Sequence, residues 1–298
     1  MKLTDLTYFK TLAESKSFTE TAEAFYISQP SISISLKRLE EAFGTTLITR
    51  DRSSKSVELT EAGKLLYKSA LDILEKIDHT HQAIDNLESK EVFFGFLPTI
   101  GGHFLPKLLP HLSDFRSMLQ LVEEESSDTM YELVRDRKVP AAIVGSDKPT
   151  FKDTRLTQLL IAERDLSLWV SPSHPLASKE RVDASMVKDT YFVTLAKGYT
   201  HQRIFEKWAK ENKIEASRIH YTNEIQTSNS MIASGMSAGM MIDLLVRDRT
   251  DIIQVPLENP PKFYVSLLID NRSDLSAAQK RFNQSLFELS KSIFKKDS

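Results

Sequence analysis

Apolar residues near the start of the chain recur every three or four positions: Leu6, Phe9 and Ala13 within 3–14, then Ile32, Leu36, Leu39 and Phe43 ahead of Gly44. One face of an α-helix collects such positions. The pattern predicts a first helix over 3–14 and a later one opening near Pro30, where a proline suits the first turn because its missing N–H goes unneeded. Between them, Ser17-Phe18-Thr19 offers N-caps for a short helix over 20–25, and Tyr26-Ile27-Ser28 turns the chain. Ser31-Ile32-Ser33-Ile34-Ser35 alternates like a half-buried strand. The spacing that Ile32 shares with Leu36, Leu39 and Phe43 resolves it as helix, ended by Gly44.

Further on, "TTLITRDRSSKSVELT" holds two short strand-like runs around a basic tip of Arg50, Arg52 and Lys55. From Thr60-Glu61-Ala62-Gly63 a long helical pattern carries Ala62, Leu66, Ser69, Ile73, Ile77, Thr80, Ile84 and Leu87 on one stripe. A small domain cannot cover a stripe of that length, so it predicts a dimerising linker helix, with packing against its own chain as the plain alternative. From Val92 strand and helix patterns alternate. "VFFGFLPTIGGHFLPKLLPHL" reads as a buried strand, a Thr-Ile-Gly-Gly loop and a helix, while "MLQLVEEE", "AAIVGS", "DLSLWVSP", "TYFVTLA" and "FYVSLLID" are further strands. An α/β region with parallel-sheet character follows.

Helix, tight turn and second helix is the helix-turn-helix order, and the basic hairpin behind it has the form of a wing. With the apolar stripe turned inward, Gln29, Ser31, Ser33, Ile34, Ser35, Lys37 and Arg38 occupy the remaining faces. Short polar side chains near a helix N-terminus let backbone approach a phosphate or a base edge. The bland alternative is that serines are simply common near helix starts. Over 2–60 the bases Lys2, Lys10, Lys16, Lys37, Arg38, Arg50, Arg52 and Lys55 are matched by eight acids, but five of those eight bases lie on the proposed DNA side. So few phosphate contacts give modest affinity per copy, which favours a homodimer or homotetramer.

These residues carry a resemblance. Leu6, Phe9, Ser17-Phe18-Thr19, Ala22, Ser28-Gln29-Pro30-Ser31-Ile32-Ser33, Leu36, Leu39-Glu40, Gly44, Leu47, Arg50 and Leu59-Thr60-Glu61-Ala62-Gly63 make the N-terminal part similar to LysR-type transcriptional regulators. Gly95, Leu97-Pro98-Thr99, Leu105-Pro106, Ser173-His174-Pro175-Leu176 and "IASGMSAG" extend the resemblance more loosely to the effector domain of that family. Thr21-Ala22, Leu47-Ile48-Thr49 and Val139-Pro140-Ala141-Ala142 depart from the family's pattern, and Ile34 stands where a polar or basic side chain is common. That last departure predicts apolar contact, as with a thymine methyl. The wing residues "TRDRSSKS" further resemble those of malolactic-type regulators, which makes a dicarboxylate such as malate worth testing.

The resemblance implies a winged helix-turn-helix over 1–60, a linker helix over 61–89 and an effector domain over 91–298 resembling two-lobed periplasmic binding proteins. Lobe one would take 91–162 plus 266–298 and lobe two 163–265. Expected partners are double-stranded promoter DNA, a small anionic effector, further copies of the chain and RNA polymerase. No cofactor is expected beyond a small-molecule co-inducer of the organic-acid class. Thr99, Ile100, Gly101 and Gly102 would offer a hydroxyl and free backbone N–H groups at a helix N-terminus, which suits a carboxylate; alternatively Thr99 only caps its helix. By similarity to the family's binding fold, Ser126, Ser127, Thr200 and His201 face the same cleft, and a protonated His201 would give a pH-sensitive response.

Composition narrows the alternatives. The 298 residues contain no cysteine, which excludes disulfides, thiolate metal sites and a cysteine nucleophile, and a net charge of −2 means any polyanion is met by local bases. No metal site is expected, since His79 and His81 are two apart on a helix and do not face each other. Gly235-Met236-Ser237-Ala238-Gly239 fits the G-x-S-x-G nucleophile elbow, but that fold needs a histidine after the serine and all seven precede it. The chain is therefore read as no enzyme. The remaining rival is a small-molecule binding module with no DNA role, which leaves 29–38 unexplained. With no apolar signal-peptide core and no apolar run of spanning length, a cytoplasmic location away from membranes is expected.

Overall fold

A computed structural model describes residues 1–298 apart from 51–56, 87–88, 247–248, 273 and 295–298, with backbone alone at 50, 79, 82–83 and 85–86. The chain divides into a unit over Met1–Asn86 and a unit over Leu87–Ser298.

In the first unit α1 (Leu3–Ser15), α2 (Phe18–Ala24) and α3 (Gln29–Phe43) precede a hairpin of β1 (Ile48–Arg50) and β2 (Val57–Leu59), and α4 (Glu61–Asn86) follows. Ser17 caps α2 by accepting from the Glu20 amide, so α2 starts two residues before the expected helix. Leu6, Phe9, Leu12, Phe18, Ala22, Ile32, Leu36 and Leu39 form one core with Leu47, Ile48, Val57, Leu66 and Ala70. Phe43, expected on the buried stripe, is instead exposed at the last turn of α3, just before Gly44 takes the left-handed conformation that ends the helix. Thr60 joins the hairpin to α4: its hydroxyl donates to the Thr46 carbonyl and accepts from the Gly63 amide. A side chain at 63 would lie 2.0 Å from the Leu47 carbonyl oxygen, which is why only glycine fits there.

The second unit carries two five-stranded sheets. Its first lobe contains β3 (Val92–Phe96), α5 (Pro98–Leu108), β4 (Leu119–Glu123), α6 (Ser127–Arg135), β5 (Ala141–Ser146) and β6 (Leu156–Asp165). The second contains β7 (Ser167–Val170), β8 (Phe192–Leu195), α7 (Thr200–Glu211), β9 (Ile219–Thr222), α8 (Ile225–Ala233), β10 (Ala238–Met241) and β11 (Ile253–Val255). The chain then returns to lobe one through β12 (Lys262–Asp270) and α9 (Ala277–Phe294).

Strand order is β4-β3-β5-β12-β6 in one sheet and β11-β7-β10-β8-β9 in the other. The parallel character holds for β4-β3-β5 and for β10-β8-β9, while β12, β6, β7 and β11 run antiparallel to their neighbours. Because β6 and β12 pair from Asp165↔Lys262 onward, 163–165 and 262–265 extend lobe one's sheet beyond the crossovers expected at 162 and 266. Two further differences stand out. No Thr-Ile-Gly-Gly loop exists, since α5 begins directly at Pro98. And the motif around Ser237 runs from helix α8 through Gly235, at φ +78°, into strand β10, the reverse of the strand-to-helix order of a nucleophile elbow.

Candidate DNA interface and effector cleft

The exposed surface of α3 is concentrated at its N-terminal half. Gln29 and Lys37 are exposed, Ser31 and Ser33 half-buried, and Ile34 keeps 56 % of its surface in solvent. Ser31 exchanges a hydrogen bond with Ser28 at 2.9 Å, and Lys37 pairs loosely with Glu41 at 3.7 Å. Two of the predicted readers belong elsewhere. Ser35 is buried and donates to Asp5 Oδ1 at 2.6 Å, and Arg38 directs its guanidinium to the same carboxylate at 2.5 Å and 3.3 Å. Both side chains therefore fasten α3 to α1. Asp5 has no exposed surface; burial pushes its pKa up, but the bonds from Arg38, Ser35 and the Lys2 amide outweigh this and hold it at about 2.

Arg52 and Lys55 lie outside the described residues, as does the Arg50 side chain. Tyr26, expected only as a turn residue, has a left-handed φ of +54° and 96 % exposure shortly before α3. On α4, Leu66 and Ala70 are buried in the domain core, whereas further along Ile73 and Ile84 are exposed, Ile84 to 60 %.

Between the two lobes, the loop into α6 meets the loop into α7. Ser126 caps α6 and donates across to the Gly198 carbonyl at 2.8 Å. The Tyr199 hydroxyl lies 2.7 Å from Glu125 Oε2 and 3.1 Å from the Asn223 carbonyl oxygen. Burial, then the bond to Glu125, pushes its pKa up to about 12, so it donates at any neutral pH. Arg203 on α7 pairs with Asp128 on α6. Two cavities adjoin that pair, one of about 600 Å³ walled by Lys197, Gly198, Gln202 and Tyr221, the other of about 560 Å³ walled by Ser127, Tyr131, Ser146, Lys148 and Phe151.

The predicted effector residues separate into two groups. Of Ser126, Ser127, Thr200 and His201, which lie at the starts of α6 and α7, only Ser127 walls one of the two cavities. The buried Ser127 hydroxyl accepts from the Gly145 amide at 3.1 Å, and a side chain at 145 would strike Phe263 at 2.3 Å, so these elements are packed as closely as glycine allows. His201 stacks on Phe263 with ring centroids 4.3 Å apart.

The other group, Thr99 to Gly102, walls neither cavity. The Ile100 and Gly101 amides, expected to be free, both donate to the Leu97 carbonyl, and the Ile100 side chain is buried in the core. The expected histidine switch also falls. His201 is buried with its Nε2 unpartnered, and burial pushes its pKa down to about 3, so the ring stays neutral. Asp128, Tyr199 and Arg203 were missed. Their pairings span 75 and 74 residues of sequence, and no local spacing announces them.

Comparison with known proteins agrees with this architecture. Residues 3–64 match the bacterial regulatory helix-turn-helix of the lysR family and residues 85–290 the LysR substrate binding domain. The malolactic fermentation system transcriptional activator of Lactococcus lactis subsp. lactis is 26 % identical over 286 residues, 95 % of this chain and 97 % of that protein. A probable RuBisCO transcriptional regulator of Thalassiosira pseudonana is 28 % identical over 265 residues, 86 % of this chain and 85 % of that one.

Among solved structures, full-length OxyR from Pseudomonas aeruginosa shares the fold with a TM-score of 0.54 at 22 % identity, covering 98 % of this chain and 95 % of that one. The effector binding domain of QuiR in complex with shikimate gives 0.57 at 16 %, covering 69 % and 97 %. The named relatives are regulators, not enzymes. The chain belongs to the LysR family of transcriptional regulators, with a DNA-binding helix-turn-helix followed by a two-lobed effector domain.

Proposed function

We propose that this regulator reads DNA through the exposed N-terminal half of α3, using Gln29, Ser31, Ser33, Ile34 and Lys37, with Arg50, Arg52 and Lys55 of the wing and Tyr26 on flanking phosphates. The observation that carries this reading is the division of α3 itself: its C-terminal residues are tied into the core by Ser35 and Arg38, while Ile34 and Gln29 stand free in solvent. Ile34 then offers apolar contact to a thymine methyl where a polar reader would hydrogen-bond. The exposed Ile73 and Ile84 on α4 support pairing of two chains, which places two recognition helices on two half-sites. A small organic anion bound between the lobes sets the relative placement of those helices.

The relative named for the malolactic fermentation system and the solved domain holding shikimate make L-malate and shikimate the first two acids to test. The experiment is fluorescence anisotropy of the full chain on DNA upstream of its own gene, across a salt series, with and without each acid. Sequence-selective binding should be lost in Ser33→Arg, and Lys37→Ala should lower the salt slope by about one. Equal affinity for random DNA at every salt would refute the DNA reading.

A further inference from the structure

The cleft needs a charge to hold an anion, and most of the groups expected to face it are neutral or committed elsewhere. The Ile100 and Gly101 amides bond to Leu97, the Ser126 hydroxyl donates to the Gly198 carbonyl, and His201 is buried and neutral. Arg203 is different. It projects from the first turn of α7, walls both cavities, and meets one carboxylate, Asp128, which belongs to the opposite lobe. Lys197, Lys148 and Lys152 each reach only one cavity and are exposed, whereas a guanidinium presents the planar fork that matches a carboxylate.

We propose that Asp128 occupies on Arg203 the place of an effector carboxylate, so that Arg203 selects the anion and the effector enters by exchanging its carboxylate for that of Asp128. This rests on the reading of the cleft as the effector site. Exchange is cheap here because the two side chains keep 37 % and 57 % of their surface, and an ion pair so exposed contributes little. It is also directional. Before exchange, the pair stitches the lobes together beside the Ser126–Gly198 and Tyr199–Glu125 bonds; after exchange, the ligand stands between α6 and α7, and the two chambers that the pair divides become continuous. An effector whose carboxylate sits on Arg203 extends its body into the chamber that Tyr131 and Phe151 also wall, their rings 4.9 Å apart.

The test is calorimetric titration of the full chain with L-malate and shikimate, and with their uncharged counterparts, malamide and methyl shikimate. Asp128→Asn removes the competitor and a repelling charge, and should tighten at least one acid by about tenfold while leaving the neutral compounds within about twofold. Arg203→Gln should weaken the same acid by at least about tenfold, Arg203→Lys by less, and the double variant should behave as Arg203→Gln does. All sites are partly exposed, so unchanged melting temperatures are expected and serve as the folding control. If the wild-type chain binds an acid with an affinity indifferent to both positions, the exchange is refuted and the organic-anion reading survives. If no variant binds either acid, the organic-anion reading fails and the exchange falls with it.

Discussion

Asp5 in the first unit and His201 in the second are both buried ionisable side chains, and the two are accommodated in opposite ways. Asp5, on α1 beneath α3, is fully removed from solvent yet charged, because Arg38, Ser35 and the Lys2 amide all donate to it. His201, in the first turn of α7, is also buried but has an unpartnered Nε2 and lies flat on Phe263. Both are buried; the supply of donors differs. A buried carboxylate with three donors becomes a clamp between helices, while a buried imidazole facing an aromatic ring becomes an apolar plate with a latent charge.

The two sites respond to acid in different ranges. Asp5 has its folded pKa depressed from 3.8 to about 2, so its contribution is complete above 3.8 and is lost as pH falls toward 2. His201 has its pKa depressed from 6.5 to about 3, so the unfolded chain takes up a proton first and the folded unit loses stability as pH falls below 6.5. Acid should therefore weaken the effector unit before it touches the DNA-binding unit. Both tryptophans, Trp169 and Trp208, lie in the effector unit, so their fluorescence reports on it alone, and helical circular dichroism follows both.

The largest expected effect is on the clamp. Asp5→Ala leaves the buried Ser35 hydroxyl without its acceptor and should cost the DNA-binding unit about 3 kcal/mol at neutral pH. It should appear as an earlier loss of helical signal with the tryptophan transition unmoved. A shift in the tryptophan transition would show that the two sites do not act independently. Next is the plate. His201→Leu should stabilise the effector unit relative to wild type by about 2 kcal/mol more at pH 5 than at pH 8, from a proton that only the unfolded wild-type chain binds at pH 5. Comparing the two pH values cancels the packing change. Parallel curves for variant and wild type across that range would mean that His201 carries a charge in the fold.

The contrast also explains what the chain's pattern discloses. Local spacing was enough for α1, α3, the hairpin and α4, because Ile32, Leu36 and Leu39 address one core and Thr60 to Gly63 form a self-contained cap. It placed β3, β5, β7, β8 and β12, whose runs are strongly apolar, and the edge strand β4. It missed β6, "LTQLLIAERD", where polar and apolar residues mix along an edge strand, and β9 and β11, the two edges of the other sheet. It also assigned Ser35 and Arg38 outward, because the acid that turns them inward sits 30 and 33 residues earlier. The cleft was the least legible region for the same reason. The Asp128–Arg203 pair exists only once the lobes are folded together, and the burial that keeps His201 neutral is completed in part by Phe263 from a returning strand.

The smallest effect is the most discriminating. Ser35 belonged, by spacing, to the surface that reads DNA, and by geometry it is one of three donors to Asp5. Ser35→Ala removes one hydrogen bond and should cost about 1 kcal/mol at neutral pH. The Asp5 carboxyl, followed by carbon-detected NMR titration, should move up toward the usual carboxylate range, because two donors then hold the charge that three held. The stability difference should vanish as pH falls through the Asp5 pKa, since a protonated carboxyl no longer needs the donor. Sequence preference on DNA should stay as it is. A changed preference with an unmoved Asp5 titration would return Ser35 to the DNA face and leave Arg38 and the Lys2 amide to hold the buried charge between them.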